Sequence, residues 1–165
     1  MNRPGSDIAT IIKPKRRRLK FAALSEVMPE VERLLGGHVV AGRWSLGLIC
    51  HHLRLGIELS MDGFPVRASR LVRRTVGPVA GWFTLGLGWI PRGMPAPGWQ
   101  PPADEFDALR EAEGLRAAIA RFASFDGQLD EHPAMGRFSR RKWERFHCVH
   151  CAHHLSFAVP VVGSP

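Results

Sequence analysis

Apolar residues recur along this chain at helical spacing in four stretches. From Ser25, which is placed to cap a first helix, Val27, Val31, Leu34 and Leu35 line one side, and Gly36-Gly37 end it. Pro29 falls in the first turns of that helix, where its cost is smaller than in the middle. A second helix is predicted from about Ser45 to Asp62, closed by Gly63 and Pro65. Its Leu48, Ile49, His52, Leu55 and Leu59 follow the i, i+3/4, i+7 stripe of a buried face. A third begins near Asp104, carries Phe106, Leu109, Leu115, Ile119, Phe122 and Phe125 on one side, and stops at Gly127. The fourth is capped by Ser139 and ended by Pro160. No sustained two-residue alternation occurs, so no strand is predicted. The expectation is an all-α chain, four amphipathic helices packed as a bundle.

Between helices two and three, residues of about 63–103 form a long irregular crossover. A short basic amphipathic helix is placed near Ala68–Val76. The apolar run PVAGWFTLGLGWI (Pro78–Ile90) then reads as core or as a wall over a pocket. After it, five prolines in the twelve residues PRGMPAPGWQPP forbid regular structure.

A length of 165 residues suits one ordinary domain, expected over 19–165. Three cysteines, an odd number, argue against a disulfide framework and for a reducing compartment. No apolar run is long enough to cross a bilayer, so no membrane partner is expected and the location is taken as cytoplasmic. The formal net charge is +8, but the first twenty residues carry seven Lys or Arg against one Asp. The excess therefore sits in a tail, residues 1–18, expected to be flexible. Such tails bind phosphates without reading sequence, and no nucleic-acid-binding motif accompanies this one, so nucleic acid is not the expected partner.

The candidate chemistry is concentrated at the end of the chain. Between His147 and His154, four histidines and two cysteines fall within eight residues, and imidazole is the commonest protein ligand for transition metals. On a helix His147, His150, Cys151 and His154 share an arc of about a hundred degrees. Side chains four apart can converge on one cation, which admits two pairs, His150 with His154 and His147 with Cys151. A further ligand has to come from elsewhere, and His52, set in an apolar stripe, is the candidate. Three neutral histidines would leave one coordination position open, as catalytic sites do, and would suit zinc, nickel, iron or copper. Cys148 and Cys151 lack the second CxxC of a structural zinc site, and the three thiols are read as reduced.

The segment WSLGLICHHL (Trp44–Leu53) paired with the late HCAHHL (His150–Leu155) resembles the DinB-like superfamily of four-helix bundles. The stretch from His132 to Phe157 is similar to one branch of it, in which an HP-x-x-G segment leads into a Trp-containing helix ending in H-x-x-H-x-x-HHL. The resemblance spans roughly residues 17–157. It implies that His52, His150 and His154 hold a divalent metal, zinc, nickel or iron. It also implies a metal used, in some relatives, to activate a low-molecular-weight thiol for transfer or isomerisation. His147, Cys151 and His132 stand beside that set as alternative ligands or as partners that orient one.

The function expected is thus a metal-dependent enzyme of thiol-transferase type. The alternatives are a non-catalytic metal-bearing bundle that senses or scaffolds, dimerising through its helix faces, and a nucleic-acid-associated protein acting through the basic tail. Arg67, Arg70, Arg73 and Arg74 are candidates to receive an anionic co-substrate. No inward carboxylate offers itself as general base, which suits a metal-activated nucleophile better than paired-carboxylate hydrolysis.

Overall fold

A computed structural model describes residues 14–93 and 105–161. The described chain is mostly helical. Helix α1 spans Val27–Leu35, α2 Leu46–Asp62, α3 Arg70–Gly81, α4 Ala108–Ser124 and α5 Arg140–Leu155. A π-helical turn, Trp82–Gly86, continues α3, and a 3-10 turn, Leu24–Glu26, leads into α1. Helices α1 and α2 each pack against both α4 and α5. Leu34, Leu53, Ile57, Leu115, Trp143 and Leu155 are fully enclosed between them, each such apolar side chain contributing roughly 1.5–3 kcal/mol. Among the described residues no helix is long and apolar enough to cross a membrane.

Of the two caps read from the sequence, Ser139 is present and Ser25 is not, and Ser45 caps α2 as well. Ser45 Oγ accepts from Leu48 N at 3.2 Å and Ser139 Oγ from Lys142 N at 3.3 Å, each satisfying an otherwise orphaned amide of a first turn. The start of α2 lies close against Phe106. A Cβ built on Gly47 would stand 2.1 Å from the Phe106 carbonyl oxygen, so only glycine fits there.

Other expectations are corrected. Ser25 lies inside the 3-10 turn and caps nothing; instead the Glu26 carboxylate accepts from Ala22 N at 2.9 Å. Helix α4 starts at Ala108 with Asp107 as its cap, its carboxylate accepting from Arg110 N at 2.7 Å, and Leu109 faces solvent. The inward face of α4 is built from Ala112, Leu115, Ala118 and Phe122. On α2 Leu46, Ile49, Leu53 and Ile57 are among the fully buried residues, while Leu55 and Leu59 are only half-buried. Helix α5 ends at Leu155, five residues before Pro160, because Phe157 and Ala158 leave it to enter a strand.

That strand corrects the reading that no strand occurs, within a chain that remains mostly helical. Strand β1 (His38–Val40) pairs antiparallel with β2 (Ala158–Pro160), Val39 opposite Val159. Ala41 N donates to Phe157 O at 2.7 Å and Val161 N to Gly37 O at 3.0 Å, extending the ribbon at both ends. The ribbon ties the α1–α2 connection to the exit of α5. Arg17 joins it: its amide donates to Ser156 O at 3.0 Å and its guanidinium to Ala158 O at 2.9 Å and to Glu30. Most of the basic tail, residues 1–13, lies outside the described residues, but Arg16 and Arg17 are bonded to the end of α5.

The crossover is also more regular than expected. Helix α3 is longer than the predicted basic helix and turns its small residues inward. Gly77 is seated on the loop after α4, where an added Cβ would meet Ala134 O at 2.5 Å. Its apolar arc, Leu71, Val72, Val76, Val79, Trp82 and Phe83, faces solvent, with Leu71 73% exposed and Trp82 61%. The run from Pro78 is thus largely an outer surface, although Thr84 is buried and Leu85 packs on the core. The proline-rich part of the crossover lies mainly in residues 94–104, outside the described residues.

Candidate metal centre

Helices α2 and α5 bring three imidazoles together. Adjacent histidines on α2 point to different sides. His51 turns to α4, its Nδ1 3.2 Å from Glu111 Oε2, with Arg54 donating to the same carboxylate oxygen at 3.1 Å. His52 consequently faces inward, across to α5, where His150 and His154 stand one turn apart. His52 Nε2 is 3.0 Å from His150 Nε2. One ligand nitrogen from each of His52, His150 and His154 lies within 4.8 Å of the others. The ring centroids form a nearly equilateral triangle with sides of 4.9, 4.5 and 4.7 Å.

Aromatic rings hold these three in place. Trp44 stacks on His154 at 5.0 Å, with planes 6° apart, and meets His52 edge-on at 5.2 Å. Phe146 stacks on His150 at 5.4 Å. Trp44 is the residue whose role the hydrophobic pattern alone misses. The signal for it was its position eight residues before His52, two residues before the helix begins.

All three histidines are neutral at physiological pH. Burial, reinforced by neighbouring histidines, lowers His52 to about 4 and holds His150 and His154 well below the ordinary value. Neutral rings keep their lone pairs. Without an ion, one of the facing Nε2 atoms of His52 and His150 must carry a proton and donate to the other. A cation needs both lone pairs instead, with both protons on Nδ1. Ligand nitrogens about 2.0–2.1 Å from a tetrahedral ion sit roughly 3.4 Å apart, so small ring rotations suffice to fit one. His52 is buried and His150 and His154 keep partial exposure, which leaves an approach from outside.

The remaining candidates lie elsewhere. His147 is not part of the triangle. Its Nε2 is 3.1 Å from Ser60 Oγ, and because the Ser60 hydroxyl donates to Ile57 O at 2.6 Å, the His147 N–H must donate to Ser60. Its Nδ1 is buried and has no hydrogen-bond partner among the described residues. Cys151 is buried outside the group of converging donors, its thiol pushed above the usual range by burial and the neighbouring thiols. Burial also pushes Cys50 up to about 12 and Cys148 to about 11, so all three are free thiols.

His132 bonds no ligand histidine; it anchors its own turn. Its Nδ1 accepts from Ala134 N at 3.2 Å and Met135 N at 3.0 Å, and its ring lies among Phe64, Phe138, Trp143 and Phe146. Nor do the predicted arginines surround the site. Arg73 pairs with Glu131 and Arg67 with Asp130, while Arg70 and Arg74 are exposed. An open groove of about 950 Å³, lined by residues such as Asp62, Asp130 and Arg140, includes none of the three histidines.

The family described as "Protein of unknown function (DUF1569)" matches residues 13–161. Neither a curated protein nor a solved structure matches the chain.

Proposed function

The chain belongs to the DUF1569 family, whose description assigns no activity, and we propose from the site itself that His52, His150 and His154 hold one divalent cation at a reactive centre. The observation that carries this reading is the 3.0 Å approach of His52 Nε2 and His150 Nε2 from separate helices, with a nitrogen of His154 within 4.8 Å. The three neutral imidazoles face one another with no carboxylate in the group, and a cation would take one nitrogen from each. One imidazole on α2 and an HxxxH pair on α5 also support reading α1, α2, α4 and α5 as a four-helix bundle of the DinB-like kind.

A three-histidine ion with an open position supplies a nucleophile at neutral pH by lowering the pKa of a thiol or water. The residues of the chain do the rest. Trp44 and Phe146 fix the planes of His154 and His150 by stacking and keep water from their faces. The Glu111–Arg54 pair holds His51 outward, which sets the inward aim of His52. Zinc, nickel and iron fit the donor set, and a low-molecular-weight thiol is the co-substrate this reading favours.

Elemental analysis of the purified chain tests it. We expect one divalent ion per chain, lost in His52→Ala and in His154→Ala while the helical circular dichroism persists. A stoichiometric ion surviving in either variant refutes the ligand set. For the fully loaded protein, the absence of thiol binding and of turnover across common thiols and electrophiles refutes the enzyme reading.

A further inference from the structure

Two arginines that lie far apart in the sequence meet beside this centre. Arg16 comes from the segment before α1, and Arg92 from the turn that follows the π-helical segment. Both guanidiniums lie over the ring of Phe157, 4.5 and 5.1 Å from its centroid. His153 explains why they meet. Its Nδ1 accepts from Arg16 Nη2 at 3.1 Å, and its ring also bonds the backbone at Ile90, which brings the turn carrying Arg92 alongside. The ring of His153 is 4.9 Å from that of His154. Arg16 is therefore one imidazole away from a member of the histidine triangle, and its charge helps keep His154 neutral.

Neither guanidinium has a carboxylate partner among the described residues, whereas Arg17, next in the chain, is bonded to Glu30. Burial and the charge of Arg92 together hold Arg16 below its ordinary pKa. The donors of Arg16 are only partly used. Its Nε goes to Ser156 Oγ at 2.7 Å and Nη2 to His153, which leaves Nη1 without a protein partner among the described residues. Arg92 makes no protein hydrogen bond among them. Two like charges gathered on one aromatic ring, with donors unspent and no acid paired to them among the described residues, repel each other, and an anion between them would relieve that.

We propose that Arg16 and Arg92 bind an anionic oxygen group, carboxylate or phosphate, carried by the molecule whose reactive atom reaches the three-histidine centre. This rests on the metal reading of that centre and adds the class of substrate: a small acid, anchored by its charge one ring away from the ion. His153 is a positioning residue in this arrangement, aligning Arg16 through its lone pair.

The test is calorimetric titration of the ion-stripped full chain with inorganic phosphate and with succinate at constant ionic strength, which separates the two sources of the charge. We expect saturable binding of one or both. Arg92→Gln, at an exposed position, should weaken it about tenfold or more, while Arg74→Gln, also exposed, should not change it. His52→Ala should keep the anion affinity of the stripped protein. With cobalt loaded, phosphate ³¹P relaxation should be enhanced in the parent chain and not in Arg92→Gln. The proposal is overturned if neither anion binds, if Arg92→Gln binds as well as the parent, or if Arg74→Gln weakens binding equally. A chain that holds no cobalt defeats the metal centre, while the calorimetry on stripped protein still decides the anion site.

Discussion

His132 shows how a histidine that reads as a candidate ligand can serve another end. Its Nδ1 takes two amides of its own turn, as an Asx side chain does in a turn, and burial among aromatic rings, helped by the charge of Arg73, lowers it to about 4. In the unfolded chain it titrates near 6.5, so between these values the unfolded state binds the proton and the native state does not. Its contribution is therefore complete above about pH 6.5 and is lost as the pH falls to about 4, reaching about 3 kcal/mol. His132→Asn keeps an acceptor for the two amides and removes the proton site. We expect it to be less stable at pH 7, from lost ring packing, yet to show a shallower loss of stability between pH 6.5 and 4 in denaturant melts. Equal slopes for the two proteins would show that His132 is not held neutral by the fold.

At the scale of elements, α3 is the one whose orientation inverts ordinary amphipathic logic. It meets the rest of the molecule through the Arg73–Glu131 pair and a narrow strip of small residues, with Gly77 against Ala134 O and Gly81 beside Met135, and its apolar arc is outside. Gly77→Ala should lower the melting temperature, because a backbone oxygen 2.5 Å away cannot yield as a side-chain tip would. Val76→Asp, at a position 59% exposed, should leave it unchanged within about 0.5 kcal/mol. The opposite ranking in thermal melts would mean that the apolar arc, not the glycine strip, is the buried face.

Period alone could not have told these faces apart, since a stripe of apolar residues announces a helix without saying which side meets the core. Four helices were legible for a complementary reason: in α2 the start at Ser45, an apolar stripe and the stop at Gly63 agree, and in α5 the Ser139 cap marks the start. Where a boundary was misplaced, a tertiary contact had overridden the local signal. Helix α5 gives up Phe157 and Ala158 to pair with β1, and strands of three residues are too short to leave an alternation in the sequence. The histidine triangle was readable because helical spacing already sets His150 above His154, and His52 was the one imidazole in an apolar stripe. Arg16 and Arg92 were not, because they lie outside helices, where spacing carries no direction, and Trp44 was marked only by its place eight residues before His52.

Across the whole molecule, the same contacts decide how an ion would act on stability. His52 and His150 are 98 residues apart in the chain, so a cation shared by them joins α2 to α5 in the native state and has no preformed counterpart in the unfolded one. The β1–β2 ribbon and Arg17 already tie the end of α5 to the α1 side of the molecule, so the stripped chain should stay folded and the ion should act by mass action rather than as a condition of folding. Binding to the native state alone adds RT ln(1 + [L]/Kd), about 2.7 kcal/mol at a hundredfold excess over Kd and about 1.4 kcal/mol for each further decade. Titrating zinc or nickel into chelator-treated protein should therefore raise the melting temperature steadily with the logarithm of free ion in the parent chain and not in His154→Ala. A His154→Ala curve that rises in parallel would place the stabilising ion elsewhere. A stripped parent chain already unfolded would show that the ribbon and the enclosed apolar core are too weak to hold α2 against α5 without the metal.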